Sequence, residues 1–547
     1  MPGTYTSSIF LAIAVVLAGA GIGAGQPATS PSLIIVNARV FTGTAAAPWA
    51  DALTIVGERI GAVGKTADLR KLAGPSTRVL DAAGKVVIPG VNDAHVHIDE
   101  LPPGTPLEGP PAVQQDPGLA DVLSRLKAAI AKTPKGGWIY GDFGERVLDD
   151  PRATRFTLDE IAPEHLVALT AWTGHGSLFN TAALRRLGVS DEEPDPPGGV
   201  FVRVAGTRKI SGLVHEYADY ILRRRLTTIP GEKAQVEALR RFGGAAVAFG
   251  ITSIQWMLTS LPIADAARIA SAADLPLRVR LIDFPMAGMA AWRRPDGRSL
   301  RQSPRVTISG TKWILDGTPV ERLMFLRQPY ADRASTRGTL NFPAEQVVEF
   351  LRNAQAAREQ PMFHAVGDAA IDAVLVALER TGGASWQPQR PRIEHGDMLE
   401  PSQFDRARSF GVVLVQNPSH FMLPDVMQRR LGDRTRRVTM MKSMTGRTVP
   451  VALGSDGLLN PFLNIMFAVT NANNPGEAMT REQALGGYTY GSAFAEFQET
   501  QKGRISPGML ADLAMLSQDI FAVPADALPA TSSVLTVVGG RIVHERK

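Results

Sequence analysis

The strongest constraint on the fold is an alternation of helical and strand-like segments through the middle of the chain. Helical hydrophobic patterns cover residues 119–132, 231–249, 344–359 and 369–380. Short apolar runs fall around and between them, at residues 165–172, 251–257, 277–284, 305–317, 361–367, 392–396, 411–418 and 451–457. Repeated strand–helix units favour a parallel sheet covered by helices. So many units predict an α/β protein with a (β/α)8 barrel, the TIM barrel.

Both ends of the chain are rich in short strand patterns. They occupy residues 33–43, 51–64 and 77–90 near the N-terminus, and residues 511–517 and 534–545 near the C-terminus. These patterns predict one small β-sandwich built from both ends. Its expected parts are residues 31–88 and 501–547, with the barrel at 89–500 and an insertion around 101–230.

Composition limits the classes of function. The 547-residue chain is 44% hydrophobic and 20% charged, which is typical of a globular protein with more than one domain. The net charge is only +5 and no lysine- and arginine-rich run alternates with aromatic residues, so we expect no nucleic-acid partner. The chain has no cysteine, which excludes thiolate metal sites, disulfides and cysteine nucleophiles.

The N-terminus has the pattern of an export signal. Residues 9–18 are apolar, and small residues continue to Gly25. The segment is short and interrupted by glycine, compared with the roughly 20 residues that span a bilayer. We predict a signal peptide at residues 1–26, export to the periplasm, and no stable membrane insertion after cleavage. The alternative is an uncleaved N-terminal membrane anchor.

Two histidines stand one residue apart in VIPGVNDAHVHI (residues 87–98), in a chain with only nine histidines. Side chains at positions i and i+2 of a strand point the same way, so His95 and His97 face one side. A strand ending in two such imidazoles is suited to be half of a metal site. The pair alone is weak evidence, because a half-buried strand can carry two histidines with no ligand role.

Other polar residues close distant strands in the same manner. His364 lies near the end of PMFHAVG, His395 near the end of RIEHG, and Asp456 near the end of VALGSDG. The carboxyl ends of barrel strands open on one face, where catalytic groups collect. A single such histidine is usually structural, but four histidines and an aspartate at separate strand ends predict a divalent metal site. Imidazole and carboxylate ligands favour zinc, although iron and manganese also accept them.

The motifs PGVNDAHVH, HAVGD, RIEHG, VALGSDG and KGRISPGMLADLAMLS resemble those of the metal-dependent amidohydrolase superfamily. The motifs TGHGSLFNTAAL, KWILDG and HAVGDAAIDAVLVALE are similar to its amidohydrolase 3 branch, which includes N-substituted formamide deformylases. The resemblance begins at Leu33 and continues to the C-terminus. It implies a distorted TIM barrel, a composite β-sandwich from both termini, and one or two metal ions per chain.

The resemblance also implies which residues bind the metals. His95 and His97 on the first barrel strand would bind one ion, and His364 and His395 on the fifth and sixth strands would bind a second. Asp456, at the end of the eighth strand, would be both a ligand and the catalytic proton acceptor. These implied roles agree with the strand-end pattern.

Lys312 in GTKWILDG is a more open case. Its place in the sequence, between His97 and His364, suits the bridging lysine carbamate that two-metal members of the superfamily carry on the fourth strand. A buried lysine can lose its proton, so this chemistry is available. The alternative is an ordinary lysine paired with Asp316, and in that case a single metal.

Further residues are predicted around the metals. In GHGSLFN, His175 would contact the substrate or polarise its carbonyl as a second catalytic group. The predicted substrate-binding residues are His175, Asn180, Trp172, Arg322 and His420. The residues predicted to brace the ligands are Asp93, Asp316 and Asp368. The chain departs from the branch at Ala369, where arginine is common, and in DGTPVERLMF and YGDFGER, so the substrate pocket is less determined than the metal site.

These features predict an enzyme that cleaves a non-peptide carbon–nitrogen bond of a small molecule, in an amide or an N-substituted formamide. Metal-activated water would attack the carbonyl, and Asp456 would carry its proton to the leaving nitrogen. Cyclic amide hydrolysis, deamination or isomerisation at the same site are alternatives. A glycosidase using Glu394 and Asp456, or a periplasmic binding protein, would leave the four histidines without a role. The sequence is compatible with a homo-oligomer.

Overall fold

The computed structural model describes residues 30–286 and 305–546. The predicted signal peptide, residues 1–26, lies outside the described residues. Within the described ranges, none of the helices has the length and apolar character needed to cross a bilayer.

Eight parallel strands form a nearly closed barrel. They are β1 (Val91–Val96), β2 (Ile251–Met257), β3 (Arg278–Asp283), β4 (Val306–Ile314), β5 (Pro361–Ala365), β6 (Arg392–His395), β7 (Val413–Gln416) and β8 (Val451–Leu453). Each strand pairs with the next one along the barrel, and irregular register between β1 and β2 and between β3 and β4 distorts it. At the seam between β8 and β1, the N–H of Asp456 donates to the carbonyl oxygen of His95 at 2.9 Å. The predicted distorted (β/α)8 barrel is confirmed.

Helices cover the outside of the barrel. They are Gly231–Ala248, Ile263–Ala273, Ala344–Ala357, Asp368–Thr381, Pro401–Ser409, Pro424–Leu431, Met441–Gly446, Pro461–Thr470, Arg481–Gly486 and Ser492–Ala495. Every residue of β1, β2, β5, β6 and β7 is buried, as expected for strands covered by helices outside and filled by side chains inside.

A second sheet is inserted between β1 and β2. Its strands are Gly104–Pro106, Trp138–Phe143, Leu166–Ala171, Gly176–Phe179, Gly199–Arg203 and Ile210–Glu216. Its helices are Ala112–Gln115, Leu119–Ile130, Glu145–Leu148, Arg155–Ile161, Thr181–Arg186 and Tyr217–Thr227. The apolar run at 165–172 belongs to this sheet and not to the barrel, because it pairs with two other strands of the insertion. Its alternating residues, such as Val167 and Ala168, face two separate apolar clusters.

Both ends of the chain combine in a β-sandwich. One sheet contains Leu33–Val36, Ala52–Val56, Arg59–Gly64 and Arg78–Asp81. The other joins Arg39–Phe41, Trp49–Ala50 and Val86–Pro89 to Leu513–Leu516, Ser533–Val538 and Arg541–Glu545. Leu53, Val87 and Leu513 share one apolar core, so the predicted composite sandwich is confirmed. Only Gly90 separates this sheet from β1, so the sandwich anchors the strand that carries His95.

Candidate metal centre

The strand ends bring five predicted ligands together at one mouth of the barrel. His95 lies on β1 and His97 follows it, while His364 is on β5, His395 ends β6, and Asp456 comes three residues after β8. Ligand atoms of His95, His395 and Asp456 lie within 4.8 Å of one another. Nε2 of His95 is 3.2 Å from Nε2 of His97 and 3.5 Å from Oδ1 of Asp456. Two ligands at about 2.0–2.1 Å from one tetrahedral zinc ion are about 3.3 Å apart, so these separations fit a shared cation.

Backbone strain and an unsatisfied nitrogen mark the same place. His395 and Asp456 have φ angles of 68° and 53°, a region that residues other than glycine rarely adopt. Such strain persists where the surrounding structure enforces it, commonly at functional sites. Nε2 of His364 is buried and has no hydrogen-bond partner among the described residues. A metal ion would satisfy this nitrogen.

The charge states also suit a cation. Burial lowers the pKa of His95, His97, His364 and His395, so these imidazoles are neutral, as metal ligands must be. Burial would raise the pKa of Asp456, but the hydrogen bond from His420 and the neighbouring imidazoles outweigh it and hold that pKa well below its usual range. Neutral nitrogens and an ionised carboxylate are a donor set that fits zinc.

Lys312 lies within this group of predicted ligands. It is 1% exposed on β4, and its Nζ is 2.9 Å from Nε2 of His95. Burial lowers the pKa of Lys312 to about 8, which increases the fraction of neutral amine. Asp316 does not pair with it, because its carboxylate accepts the backbone N–H groups of Phe325, Val366 and Gly367 at 2.9 Å each. Asp316 therefore braces the segment that follows His364.

Side chains that were not predicted to brace the metal site hold the predicted ligands in place. Oε2 of Glu394 lies 2.6 Å from Nδ1 of His95, and Arg392 donates to Glu394 at 2.7 Å. Thr259 contacts Nδ1 of His97 at 3.1 Å, and Asn417 contacts Nδ1 of His395 at 3.0 Å. Carboxylates and amides in such positions fix the orientation of ligand imidazoles. In the sequence, this arrangement is indicated by Arg392 and Glu394, two charged residues within the buried strand RIEH.

The contacts of Glu394 with Arg392 and His95 also argue against a glycosidase. Burial raises the pKa of Glu394, but Arg392 and His95 outweigh it and lower that pKa to about 2. The general acid of a glycosidase requires a raised pKa, and Glu394 is held by Arg392 and His95 instead.

Asp93 connects the first and last strands. Its Oδ1 accepts the N–H of His95 at 3.1 Å and the N–H of Ser455 at 2.9 Å. Burial raises the pKa of Asp93 to about 6. The side chain therefore braces the backbone of two predicted ligand segments across the seam.

His420 contacts two of the predicted ligands, His395 and Asp456. Its Nδ1 is 2.9 Å from Oδ2 of Asp397, and its Nε2 is 3.4 Å from Oδ2 of Asp456. Its ring stacks on that of His395, with centroids 4.7 Å apart. Burial lowers the pKa of His420, but Asp397 and Asp456 outweigh it and raise that pKa to about 10. The substrate contact of His420 stays a prediction, and its two ring nitrogens face Asp397 and Asp456.

A cavity of about 230 Å³ separates the metal centre from the inserted sheet. The barrel contributes His97, Thr259, Lys312, His364, His395 and Asp456 to its lining, and the insertion contributes Asp142, Thr170, Trp172, Thr173, His175, Tyr220 and Arg223. We call residues 170–175 the roof. The predicted substrate residues Trp172 and His175 therefore do face the same space as the predicted ligands.

His175 is the titratable group of the roof. Its ring centroid is 4.6 Å from that of His364, and its Nδ1 is 3.0 Å from Oε1 of Glu216. Burial lowers the pKa of His175, but Glu216 outweighs it and raises that pKa above its usual value. Glu216, the partner of His175, lies outside the motif GHGSLFN and was not predicted from it.

Three predicted residues have other roles. Asn180 is fully buried and caps the helix Thr181–Arg186, and its amide also donates to two backbone carbonyls, so it is a helix cap and not a substrate contact. Arg322 lines a neighbouring cleft of about 860 Å³ and pairs with Asp149 and Asp332. Asp368 accepts the N–H of Arg327 at 2.9 Å and braces that loop, not a ligand.

Comparison with known proteins is consistent with this geometry. A sequence profile described as the Amidohydrolase family matches residues 78–544. An N-substituted formamide deformylase of Arthrobacter pascens is 28% identical, over 94% of this chain and 98% of that protein. Protein LONG AFTER FAR-RED 3 of Arabidopsis thaliana is 27% identical, over 94% of this chain and 91% of that protein.

A solved structure shares the fold. It is an uncharacterized metal-dependent hydrolase from Pyrococcus horikoshii OT3, with a TM-score of 0.69 and 22% identity. The match covers 90% of this chain and 99% of that chain. The barrel, the insertion and the sandwich therefore form an arrangement that at least one other protein adopts.

Proposed function

Because the chain belongs to the Amidohydrolase family, whose members are metal-dependent hydrolases, we propose that it cleaves the carbon–nitrogen bond of a small amide, in particular an N-substituted formamide. The observation that carries this proposal is the cavity between the predicted ligands and the roof. At about 230 Å³ it is smaller than the roughly 300–1,000 Å³ of most ligand pockets, which favours a small acyl group. The relative named N-substituted formamide deformylase supports cleavage of the same bond.

His95, His97, His364, His395 and Asp456 would hold one or two divalent ions, with zinc the best match to their donor atoms. Such an ion, when bound, lowers the pKa of water and polarises a carbonyl group. We extend the proposal to a carbamate on Lys312, whose buried Nζ lies beside His95. Such a carbamate would supply two oxygen donors for the bound ions.

Asp456 is the proposed proton carrier. Its Oδ1 is 3.4 Å from Nε2 of His97, and its Oδ2 faces Nε2 of His420. Asp456 would accept a proton from the attacking water and deliver it to the nitrogen as the carbon–nitrogen bond breaks, which yields an acid and an amine. His420, held by Asp397, would keep the carboxylate in this position.

His175 lies beside His364, on the roof side of the cavity, and would contact the carbonyl oxygen of the substrate. A group fixed at this place stabilises the charge that develops on that oxygen. Trp172 would close the cavity beside it and exclude water. We also propose export to the periplasm, which is supported by the apolar leader at residues 9–18.

The test is formate release from N-benzylformamide by the purified full chain, before and after chelation and after addition of zinc. We expect activity only with metal, because the bound ion lowers the pKa of the attacking water and polarises the carbonyl group. Metal analysis should find about one or two ions per chain, and H95A should lose both metal and activity. H544A is the matched control, because His544 lies in the C-terminal sheet.

Full activity of the chelated enzyme would refute the metal centre. A metal-loaded protein that hydrolyses cyclic amides or deaminates amines, but releases no formate, would leave the metal centre standing and refute the choice of bond.

A further inference from the structure

The backbone of Glu216 is strained. Its φ and ψ angles are 56° and −130°, at the junction between the strand Ile210–Glu216 and the helix Tyr217–Thr227. Only glycine adopts this region readily, because a Cβ atom clashes with the backbone there. A glutamate at this position therefore needs an explanation in its side chain.

The helix does not provide that explanation. Glu216 is the residue that precedes the first turn, but its side chain makes no capping hydrogen bond. Glu216 is only 3% exposed, so contact of its carboxylate with solvent does not explain the glutamate either. A glycine would give the same turn with less strain.

The carboxylate of Glu216 contacts His175, a residue of the roof. Oε1 of Glu216 is 3.0 Å from Nδ1 of His175, and Oε2 accepts a hydrogen bond of 3.0 Å from Nδ2 of Asn341. Asn341 is itself tied to the end of β4, because its Nδ2 also donates to the carbonyl oxygen of Ile314. A Cβ atom at Gly317 would come within 2.6 Å of Oε1, so the space for the carboxylate depends on that glycine.

We propose that Glu216 is a positioning residue for catalysis, which holds the ring of His175 so that its Nε2 faces the cavity, and that Asn341 fixes Glu216. A carboxylate can only accept, so Nδ1 of His175 carries a hydrogen and points at Glu216. The other ring nitrogen is then left for the substrate. This inference rests on the proposed function for the role of His175, but the orientation of the ring can be tested separately.

The decisive variant is E216G, because it removes the carboxylate and the strain together. With N-benzylformamide and zinc-loaded enzyme, we expect kcat to fall about 10–100-fold, the range typical of groups that orient histidines at a metal site. KM should change little. The midpoint of thermal unfolding should change little, because relief of the strained backbone offsets the loss of the hydrogen bonds to His175 and Asn341. E216Q keeps an acceptor for Nδ1 and should lose less activity.

R358G is the matched control. Arg358 also has a positive φ, 53°, but it is exposed at the end of the helix Ala344–Ala357. We expect wild-type kcat and an unchanged or higher unfolding midpoint. A drop in the unfolding midpoint of E216G with kcat retained would show a purely structural glutamate and overturn the proposal.

A second measurement does not depend on activity. The proton NMR spectrum of the wild-type protein should contain a strongly deshielded Nδ1–H signal from His175 that disappears in both H175N and E216G. If no amide is hydrolysed but this signal is present, the proposed function fails and the positioning of His175 stands. Without the signal in the wild-type protein, the positioning itself is refuted.

Discussion

The imidazole of His95 is held by a carboxylate that is held in turn by an arginine. His95, Glu394 and Arg392 are all buried, and Arg392 donates through two of its nitrogens to the two oxygens of Glu394. A buried carboxylate paired in this way stays ionised and accepts from Nδ1 of His95. Nε2 of His95 is then left available to bind a metal ion. At the scale of single residues, the orientation of His95 depends on an outer layer formed by Glu394 and Arg392.

E394Q tests that layer. The glutamine keeps the shape of the side chain but loses the charge, so we expect metal affinity to fall about 10–100-fold. Competition with a chelator measures the affinity, and circular dichroism verifies that the variant is folded. E349Q, on an exposed face of the helix Ala344–Ala357, is the control. Equal affinities of E394Q and the wild-type protein would contradict the role of Glu394.

The seam between β8 and β1 is the element that completes the site. These strands are the two edges of the eight-stranded sheet, and they meet at their carboxyl ends. A Cβ atom at Gly454 would lie 2.5 Å from Cβ of His95 and 2.7 Å from its backbone nitrogen. This close approach lets Asp93 bond both strand ends and puts Asp456 beside His95.

G454A should therefore separate β1 from β8 at the metal site. We expect about 1–3 kcal/mol of destabilisation from overpacking, together with weaker metal binding because His95 must move. Urea unfolding and metal titration measure the two effects. G486A is the control, since a Cβ atom there meets nothing within 4 Å. Normal metal affinity in G454A would show that the approach of the strands is not needed.

At the scale of the whole molecule, a buried arginine joins the insertion to the barrel. Arg430 is 1% exposed and pairs with Glu145 of the insertion at 2.8 Å and with Asp332. It also donates to the carbonyl oxygens of Pro319 and Val320. The next residue, Glu321, bonds Thr173 in the roof. The position of the roof over the predicted ligands therefore depends on this joint.

R430M should weaken the attachment of the insertion to the barrel. Removing one partner of a buried ion pair typically costs about 3–5 kcal/mol, because the remaining charges are left unpaired. We also expect a higher KM, since the roof carries His175. Denaturant unfolding and steady-state kinetics measure these changes. R408M breaks an exposed pair with Asp405 and should cost less than about 1 kcal/mol. An unchanged free energy of unfolding in R430M would refute the role of Arg430 in holding the insertion against the barrel.

Much of this architecture was predictable from the sequence by itself. The helical pattern at 344–359 corresponds to Ala344–Ala357, and the apolar run at 251–257 is β2. Periodicity determines such elements because it reports which side of a segment is buried. The grouping of the five predicted ligands followed from the same rule, since parallel strands place their carboxyl ends on one face.

Tertiary structure alone decided which partners these residues have. His95 and Glu394 are 299 positions apart in the sequence. His175 precedes the strand Gly176–Phe179, whereas Glu216 ends the strand Ile210–Glu216. Asn180 matched a motif, yet its polar atoms are used by the local backbone. A local pattern states that a polar group is buried, but its partner depends on strand order and register, which bring distant segments together only in the folded chain.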